Sequence, residues 1–176
     1  MARIFNLFGE ARKEPEVAVN RTEPPAPPVI RKQMPTHTIR YESDLISHLK
    51  GDHERLVAEF VALMPLLKSG DVKGFKAKLA GFKTDFQGHI IKENVKFYVY
   101  LEQSLSGDET NLELMRDFRR EMNTISRAVV NFCNRFIEDS MDSVGVANFA
   151  KESADIAQAL LRRIEREERD LYTLYN

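Results

Sequence analysis

Four long stretches of the sequence place large apolar residues alternately three and four positions apart, and this spacing restricts the fold most. It puts the apolar side chains on one face of an α-helix. The first stretch, for example, carries Leu45, Leu49, Leu56 and Phe60 in this register. Four such helices with short connections are typical of an up-down-up-down antiparallel four-helix bundle. The sequence therefore predicts an all-α protein without strands.

The predicted helices cover about residues 39–68, 72–105, 109–141 and 148–172. Gly70, Gly107 and Gly145 lie in the expected connections, where glycine commonly ends a helix. Pro65 should bend or end the last turn of the first helix, because proline lacks the N–H that an α-helix needs. We expect residues 38–176 to form the bundle.

The composition changes ahead of the bundle. Six of the seven prolines lie between Glu10 and Pro35, so residues 10–37 are predicted to be a Pro-rich linker or disordered arm. Residues 1–9 form a short apolar peptide. Its apolar side chains are candidates for insertion into a groove on a partner protein, and they are Ile4, Phe5, Leu7 and Phe8. The alternative is that this peptide frays or docks loosely on its own domain.

Charge and cysteine content exclude several classes of protein. The chain has 26 Lys and Arg against 27 Asp and Glu, so nothing in its net charge favours nucleic acid or an anionic membrane as a partner. No apolar run approaches the length of a membrane span. Cys133 is the single cysteine, which suits a reducing compartment and predicts a cytoplasmic protein. Cys133 lies beside an apolar seam, so we interpret it as a small buried hydrophobe rather than a nucleophile.

Six residues that do not suit an apolar core fall on the apolar seams. An unpaired charge in a helix bundle is costly, so each of them needs a reason. They are His53 on the first helix, His89 and Glu93 on the second, Met122 on the third, and Arg163 and Glu167 on the fourth. His89 and Glu93 are four residues apart, which aims both side chains inward at adjacent levels. This is how helix bundles build carboxylate-bridged metal sites.

The motifs around these residues resemble the hemerythrin-like, or HHE cation-binding, family over about residues 41–172. The family shows Asp-His-x-x-Leu on its first helix, matched by Asp52–Leu56, and His-Ile-x-x-Glu on its second, matched by His89–Glu93. Its third-helix motif, Glu-His-x-x-Ile, is matched by Glu121–Ile125 except for Met122. Its fourth, His-Ile-x-x-Glu-Glu-x-x-Leu-Tyr, is matched by Arg163–Tyr172 except for Arg163.

The resemblance implies a site for two iron ions that bind oxygen, react with nitric oxide, or sense redox state or iron. Met122 and Arg163 stand where the resemblance implies histidine ligands. A thioether is a poor ligand for iron among oxygen donors, and the guanidinium of Arg163 can pair with Glu167 or Glu93. We therefore expect the di-iron centre to be lost and replaced by a buried ion-pair network, with no cofactor.

Two alternatives stay open. One metal ion could be held by His53, His89, Glu93 and Glu167, provided that Arg163 swings away. An intact centre with two irons would need substitute ligands. His48 is a poor substitute because it points to a different side of the helix from His53, and His37 lies in the arm.

The first functional hypothesis is a cytoplasmic, bacterial, non-catalytic regulatory or adaptor protein built on a bundle that has lost its di-iron centre. It would bind another protein through the N-terminal peptide or the bundle surface, and its oligomeric state is open. The alternative is a metal-dependent sensor of oxygen, nitric oxide or redox state that uses the reduced ligand set. A third hypothesis is an iron-binding or iron-repair protein. We expect no enzyme, because the sequence has no catalytic triad, phosphate-binding loop or Cys-x-x-Cys motif.

Overall fold

The computed structural model describes residues 39–176, and every regular element in this range is helical. The predicted all-α fold with four helices is confirmed. The expected apolar peptide of residues 1–9 and the Pro-rich arm of residues 10–37 lie outside the described residues.

Four helical segments follow one another, and three of them are interrupted. The first consists of α1 and α2, the second of α3, a π-helical turn and α4, the third of α5, and the fourth of α6, a π-helical turn and a short 3₁₀ turn. Their bounds are Leu45–Val61 for α1, Leu63–Lys68 for α2, Val72–Lys92 for α3, Glu93–Phe97 for the first π-helical turn, Tyr98–Ser104 for α4, Glu109–Glu138 for α5, Ser143–Arg166 for α6, Glu167–Leu171 for the second π-helical turn and Tyr172–Leu174 for the 3₁₀ turn.

The first helical segment begins six residues later than the predicted start at residue 39. The preceding residues are held by contacts with other parts of the chain instead. The Ile39 N–H donates to the Gln103 side chain at 3.1 Å, and the Glu42 N–H donates to the Tyr175 hydroxyl at 2.9 Å. These bonds hold the preceding residues against α4 and the end of the fourth segment.

Pro65 explains why this segment is interrupted. Helix α1 ends at Val61, and α2 resumes at Leu63 with Pro65 in its first turn. A proline three residues into a helix costs nothing in hydrogen bonds, because the first N–H groups of a helix have no partner within it. The first helix is therefore interrupted as predicted, but the interruption lies at Ala62, ahead of the proline.

Two turns join the first three segments, and both use glycine in the left-handed region. Gly70 has φ 78° and Gly107 has φ 100°, values that glycine adopts without the steric cost of a Cβ. An aspartate follows each glycine and caps the next helix. Asp71 accepts from the Gly74 N–H at 2.8 Å, and Asp108 accepts from the Asn111 N–H at 3.1 Å.

The fourth segment begins at Ser143 rather than near residue 148, and Gly145 lies inside α6 rather than in a loop. The Asp142 carboxylate caps this helix by accepting from the N–H groups of Val144 and Gly145 at 3.0 and 2.9 Å. Gly145 is needed for close packing, because a Cβ at this position would lie 2.7 Å from Asp139 Oδ1.

The core consists of two apolar clusters. One cluster joins the second half of the first segment to the starts of α3 and α6 and the end of α5, through residues that include Leu56, Leu63, Phe75, Phe82, Phe132, Phe136 and Phe149. The other joins the start of α1 to α4, the start of α5 and the end of the fourth segment, through residues that include Leu45, Leu49, Phe97, Leu101, Met115, Phe118 and Leu171. The buried polar residues lie between these clusters along the first, second and fourth segments.

No helix within residues 39–176 is both long enough and apolar enough to cross a membrane.

Candidate metal centre

All six unusual seam residues are buried. His53, His89, Glu93, Arg163 and Glu167 are each less than 5% exposed, and Met122 is 5% exposed. One potential ligand atom from each of His53, His89 and Glu93 lies within 4.8 Å of the other two. The structure thus brings these three side chains together in the layer between the two apolar clusters.

The two glutamates of this layer each begin a π-helical turn. The Tyr98 N–H bonds to the Glu93 carbonyl, and the Tyr172 N–H bonds to the Glu167 carbonyl, in both cases five residues back. A π-helical turn inserts one residue into a helix and changes the direction of the side chains that follow, and such turns are frequent at functional sites. Each of these turns delivers a tyrosine into the layer.

One side of the layer, which we call the histidine half, contains His53, His89, Glu93 and Tyr172. The Tyr172 hydroxyl donates to Glu93 Oε1 at 2.8 Å. Glu93 Oε2 lies 3.9 Å from His89 Nε2, and it is buried without a hydrogen-bond partner among the described residues. A buried carboxylate oxygen without a partner is costly, so this oxygen is available to bind a cation.

A carboxylate lies beside the outer ring nitrogen of each histidine, and the one beside His53 forms a hydrogen bond. His53 Nδ1 donates to Glu168 Oε1 at 2.9 Å, which leaves Nε2 to face the layer. His89 Nδ1 lies 3.6 Å from Asp52 Oδ2, and Lys92 holds Asp52 in place at 2.5 Å. Histidines that bind metals commonly have a carboxylate at the other ring nitrogen.

The other side, which we call the arginine half, contains Arg163, Glu167, Tyr98 and Phe118. The Arg163 guanidinium donates to Glu167 Oε1 and to the Tyr98 hydroxyl at 2.8 Å, and its carbon atom lies 4.6 Å from the centre of the Phe118 ring. A buried guanidinium paired in this way occupies the space with a fixed positive charge.

Burial controls the protonation of the layer. It lowers the pKa of His89 to about 4 and also lowers that of His53, so both imidazoles are neutral at neutral pH, the form that binds metals. Burial raises the pKa of Glu93 to about 7. Burial and the neighbouring Glu93 raise the pKa of Glu167, against the opposing effect of Arg163. Burial alone would lower the Arg163 pKa, but Glu167 and Tyr98 raise it overall.

The donor set fits one metal ion. Two neutral imidazoles and a carboxylate suit a first-row divalent metal such as iron. The layer contains two buried carboxyl groups against one guanidinium, so a cation at Glu93 would balance the charge of this group in its ionised form. The arginine half does not fit a second ion, because Arg163 already occupies it.

A family model, the hemerythrin HHE cation-binding domain, matches residues 44–175. The match covers most of the chain and includes every residue of the layer. The chain belongs to the hemerythrin family. No curated protein and no solved structure matches it.

In this hemerythrin domain, the predicted site residues are divided between the arginine half and the histidine half. Arg163 pairs with Glu167 rather than with Glu93, and Glu93 bonds to Tyr172 instead. Glu167 Oε2 lies 3.7 Å from His53 Nε2, so Glu167 is adjacent to both halves. Met122 belongs to the apolar cluster that contains Leu56.

Sequence reasoning missed four residues that the hemerythrin site uses. Asp52 and Tyr172 belong to the matched motifs, so their positions could have identified them as site residues. Glu168 lies in the matched motif of the fourth helix as well, and it bonds to His53. Tyr98 had no signal beyond its place among the aromatic residues after Glu93. Among the other histidines, His48 is exposed and His37 lies outside the described residues.

A small cavity of about 70 Å³ lies beside the hemerythrin layer, between α1 and α6. Its walls are mainly apolar, and residues of both halves are among those that line it. The wall residues include Val57, Phe60, Phe82, Phe86, Leu160 and Ile164. An apolar cavity of this size favours a small uncharged molecule over an ion.

Proposed function

We propose that this hemerythrin domain is a metal-dependent regulatory protein that holds one iron ion with His53, His89 and Glu93. Arg163 takes the place that a second ion would need. One observation carries this proposal, namely that Glu93 Oε2 is buried without a hydrogen-bond partner in residues 39–176 and lies close to two neutral imidazoles.

When bound, the ion supplies a position for a small ligand such as oxygen or nitric oxide, together with a change of oxidation state. The protein residues hold the imidazoles and control access to the site. Glu168 fixes the His53 imidazole by a hydrogen bond, Asp52 lies beside the His89 imidazole, and the apolar cavity limits the access of charged molecules. Arg163 keeps Glu167 paired, so the site holds one redox centre, which suits sensing rather than catalysis.

The surrounding protein suits a regulatory role. The membership of the two apolar clusters supports an up-down-up-down antiparallel bundle, since each cluster combines the start of some segments with the end of others. We place the protein in the cytoplasm, consistent with its single buried cysteine. A partner protein would be bound by the bundle surface or by the apolar peptide that contains Ile4, Phe5, Leu7 and Phe8.

Elemental analysis of protein purified without chelator tests this proposal. We expect one metal ion per chain, and we expect His89→Ala to lose it, because His89 supplies one of only two imidazoles. His48→Ala is the matched control, since this histidine lies on the same helix as His53 but is exposed. Equal metal content in both variants would contradict the proposed ligand set.

A second candidate is the non-catalytic adaptor without any metal, and the arginine half favours it. The Arg163 guanidinium is bonded to Glu167 and Tyr98, and it lies 3.5 Å from Glu121, so this half of the layer is stable without an ion. Elemental analysis that finds no metal in the wild-type protein would support the adaptor and exclude the sensor.

A further inference from the structure

The Tyr172 hydroxyl lies among the candidate ligand atoms of the histidine half. Its oxygen is 2.8 Å from Glu93 Oε1 and 3.4 Å from His53 Nε2. Two atoms bound to the same first-row metal at about 2.0–2.2 Å are separated by roughly 2.8–3.5 Å when they are neighbours. The distance to His53 Nε2 falls in this range. The hydrogen bond to Glu93 Oε1 holds the phenol oxygen beside the carboxylate whose Oε2 has no hydrogen-bond partner among the described residues, so the phenol oxygen lies where a neighbouring ligand would be.

A backbone hydrogen bond and two ring contacts hold Tyr172 in position. Its N–H closes the π-helical turn that starts at Glu167. Its ring is stacked on the His53 ring at 5.8 Å with an angle of 8° between the planes, and it packs edge-on against Phe97 at 5.1 Å. A side chain held in this way loses little further freedom when it binds a ligand.

Tyr98, the matching tyrosine of the arginine half, is not placed to bind a metal ion. Tyr98 occupies the equivalent position five residues after Glu93, but its hydroxyl accepts a hydrogen bond from Arg163. Tyr172 has no guanidinium partner, and its hydroxyl contacts only candidate ligands among the hydrogen bonds of the described residues. The two tyrosines therefore provide an internal comparison between the halves.

We propose that the Tyr172 phenolate oxygen is a fourth protein ligand for trivalent iron, beside His53, His89 and Glu93, and this rests on the proposed function. Phenolate is a hard anionic oxygen donor, which suits ferric iron. The charges agree with this assignment. Arg163 neutralises Glu167, so Glu93 alone would face a trivalent ion, and a phenolate adds a second negative charge. The hydroxyl proton, which forms the hydrogen bond to Glu93, is released to solvent when the phenol oxygen binds the metal.

The test uses ferric nitrilotriacetate as the iron source for the full-length chain stripped of metal. Excess iron is removed by gel filtration, and each sample is measured by elemental analysis and by visible and resonance Raman spectroscopy. We expect a visible phenolate-to-iron charge-transfer band with enhanced tyrosine ring modes in the wild-type protein. Tyr172→Phe should lose both signals, whereas Tyr98→Phe should keep both. Circular dichroism confirms that each variant is folded.

Each outcome separates this inference from the proposed function. Iron bound by the wild-type protein without the charge-transfer band overturns the phenolate ligand and leaves the one-ion site intact. A band that persists in Tyr172→Phe also overturns the assignment, because another tyrosine must then be the ligand. Failure of the wild-type protein to bind any added metal, Fe²⁺ and Zn²⁺ included, overturns the proposed function itself, and the phenolate ligand with it.

Discussion

Replacing Arg163 by methionine tests whether a buried ion pair holds the arginine half together. Arg163 is 2% exposed and Glu167 is also 2% exposed, so the substitution leaves a buried carboxylate without its counter-ion. Methionine fills a similar apolar volume, which limits the contribution of an empty cavity. The change therefore reports mainly on the charge.

The expected cost follows from the contacts that are lost. Breaking a buried pair by removing one partner costs about 3–5 kcal/mol. The pKa of Glu167 is already raised by burial, so its carboxyl group can take up a proton and reduce the penalty. We therefore expect the free energy of unfolding to fall by about 3 kcal/mol, the lower end of this range.

Arg166→Met is a closely matched control. Arg166 also pairs with Glu121, at 2.8 Å, and its guanidinium carbon also lies near the Phe118 ring, at 4.8 Å. Its side chain is 44% exposed, however, so its loss should cost less than about 1 kcal/mol. The two arginines share their charge and two partners, so the difference between the variants reports on the burial of Arg163 and on its bonds to Glu167 and Tyr98.

Urea denaturation followed by circular dichroism measures both variants, with a chelator present so that metal binding does not contribute. A loss of 3 kcal/mol should lower the urea midpoint by about 1–3 M, given usual m-values for small proteins. Adding Glu167→Gln to Arg163→Met should recover stability, because it removes the unpaired carboxylate. Losses for the two single variants that agree within about 0.5 kcal/mol would refute the buried ion pair.

Three further results are expected. Arg163→His combined with Met122→His should raise the metal content from one ion to two, measured by elemental analysis, and an unchanged content would contradict the interpretation that these two residues stand at histidine-ligand positions. Cys133 should not react with Ellman's reagent until the protein is unfolded in urea, because burial raises its thiol pKa to about 12; rapid reaction in the native state would contradict its burial. Deleting residues 1–9 should abolish capture of a partner but leave the melting temperature unchanged, and a lower melting temperature would assign the peptide a structural role.

The helical periodicity could be predicted because it depends on side chains within one segment. The starts of α3 and α5 at Val72 and Glu109 agree with the sequence, since Asp71 and Asp108 are recognisable caps. The start of α6 was misplaced because Gly145 was read as a turn residue. Its actual role, close packing against Asp139, depends on a contact that local sequence does not reveal.

The site could be predicted only in part for a similar reason. The spacing of His89 and Glu93 placed both side chains in the interior, and the burial of Cys133 was confirmed. The π-helical turns add one residue to the helical repeat without any proline or glycine to mark them. The bonds of Tyr98 and Tyr172 depend on these turns and join different helices, so no single segment encodes them.

The contacts within the two halves explain how the layer could hold one metal ion although Arg163 occupies the place of a second. The layer contains two similar glutamate–tyrosine pairs, Glu93 with Tyr98 on the second segment and Glu167 with Tyr172 on the fourth. The hydroxyl of each tyrosine forms a hydrogen bond with a residue of the other segment. Arg163 adds a positive charge on one side and attracts Glu167 and Tyr98 to it. Glu93 and Tyr172 are then left to the histidines, where Glu93 Oε2 remains without a hydrogen bond within the described bundle. A guanidinium on one side therefore satisfies one carboxylate of the layer and leaves the other to bind a cation.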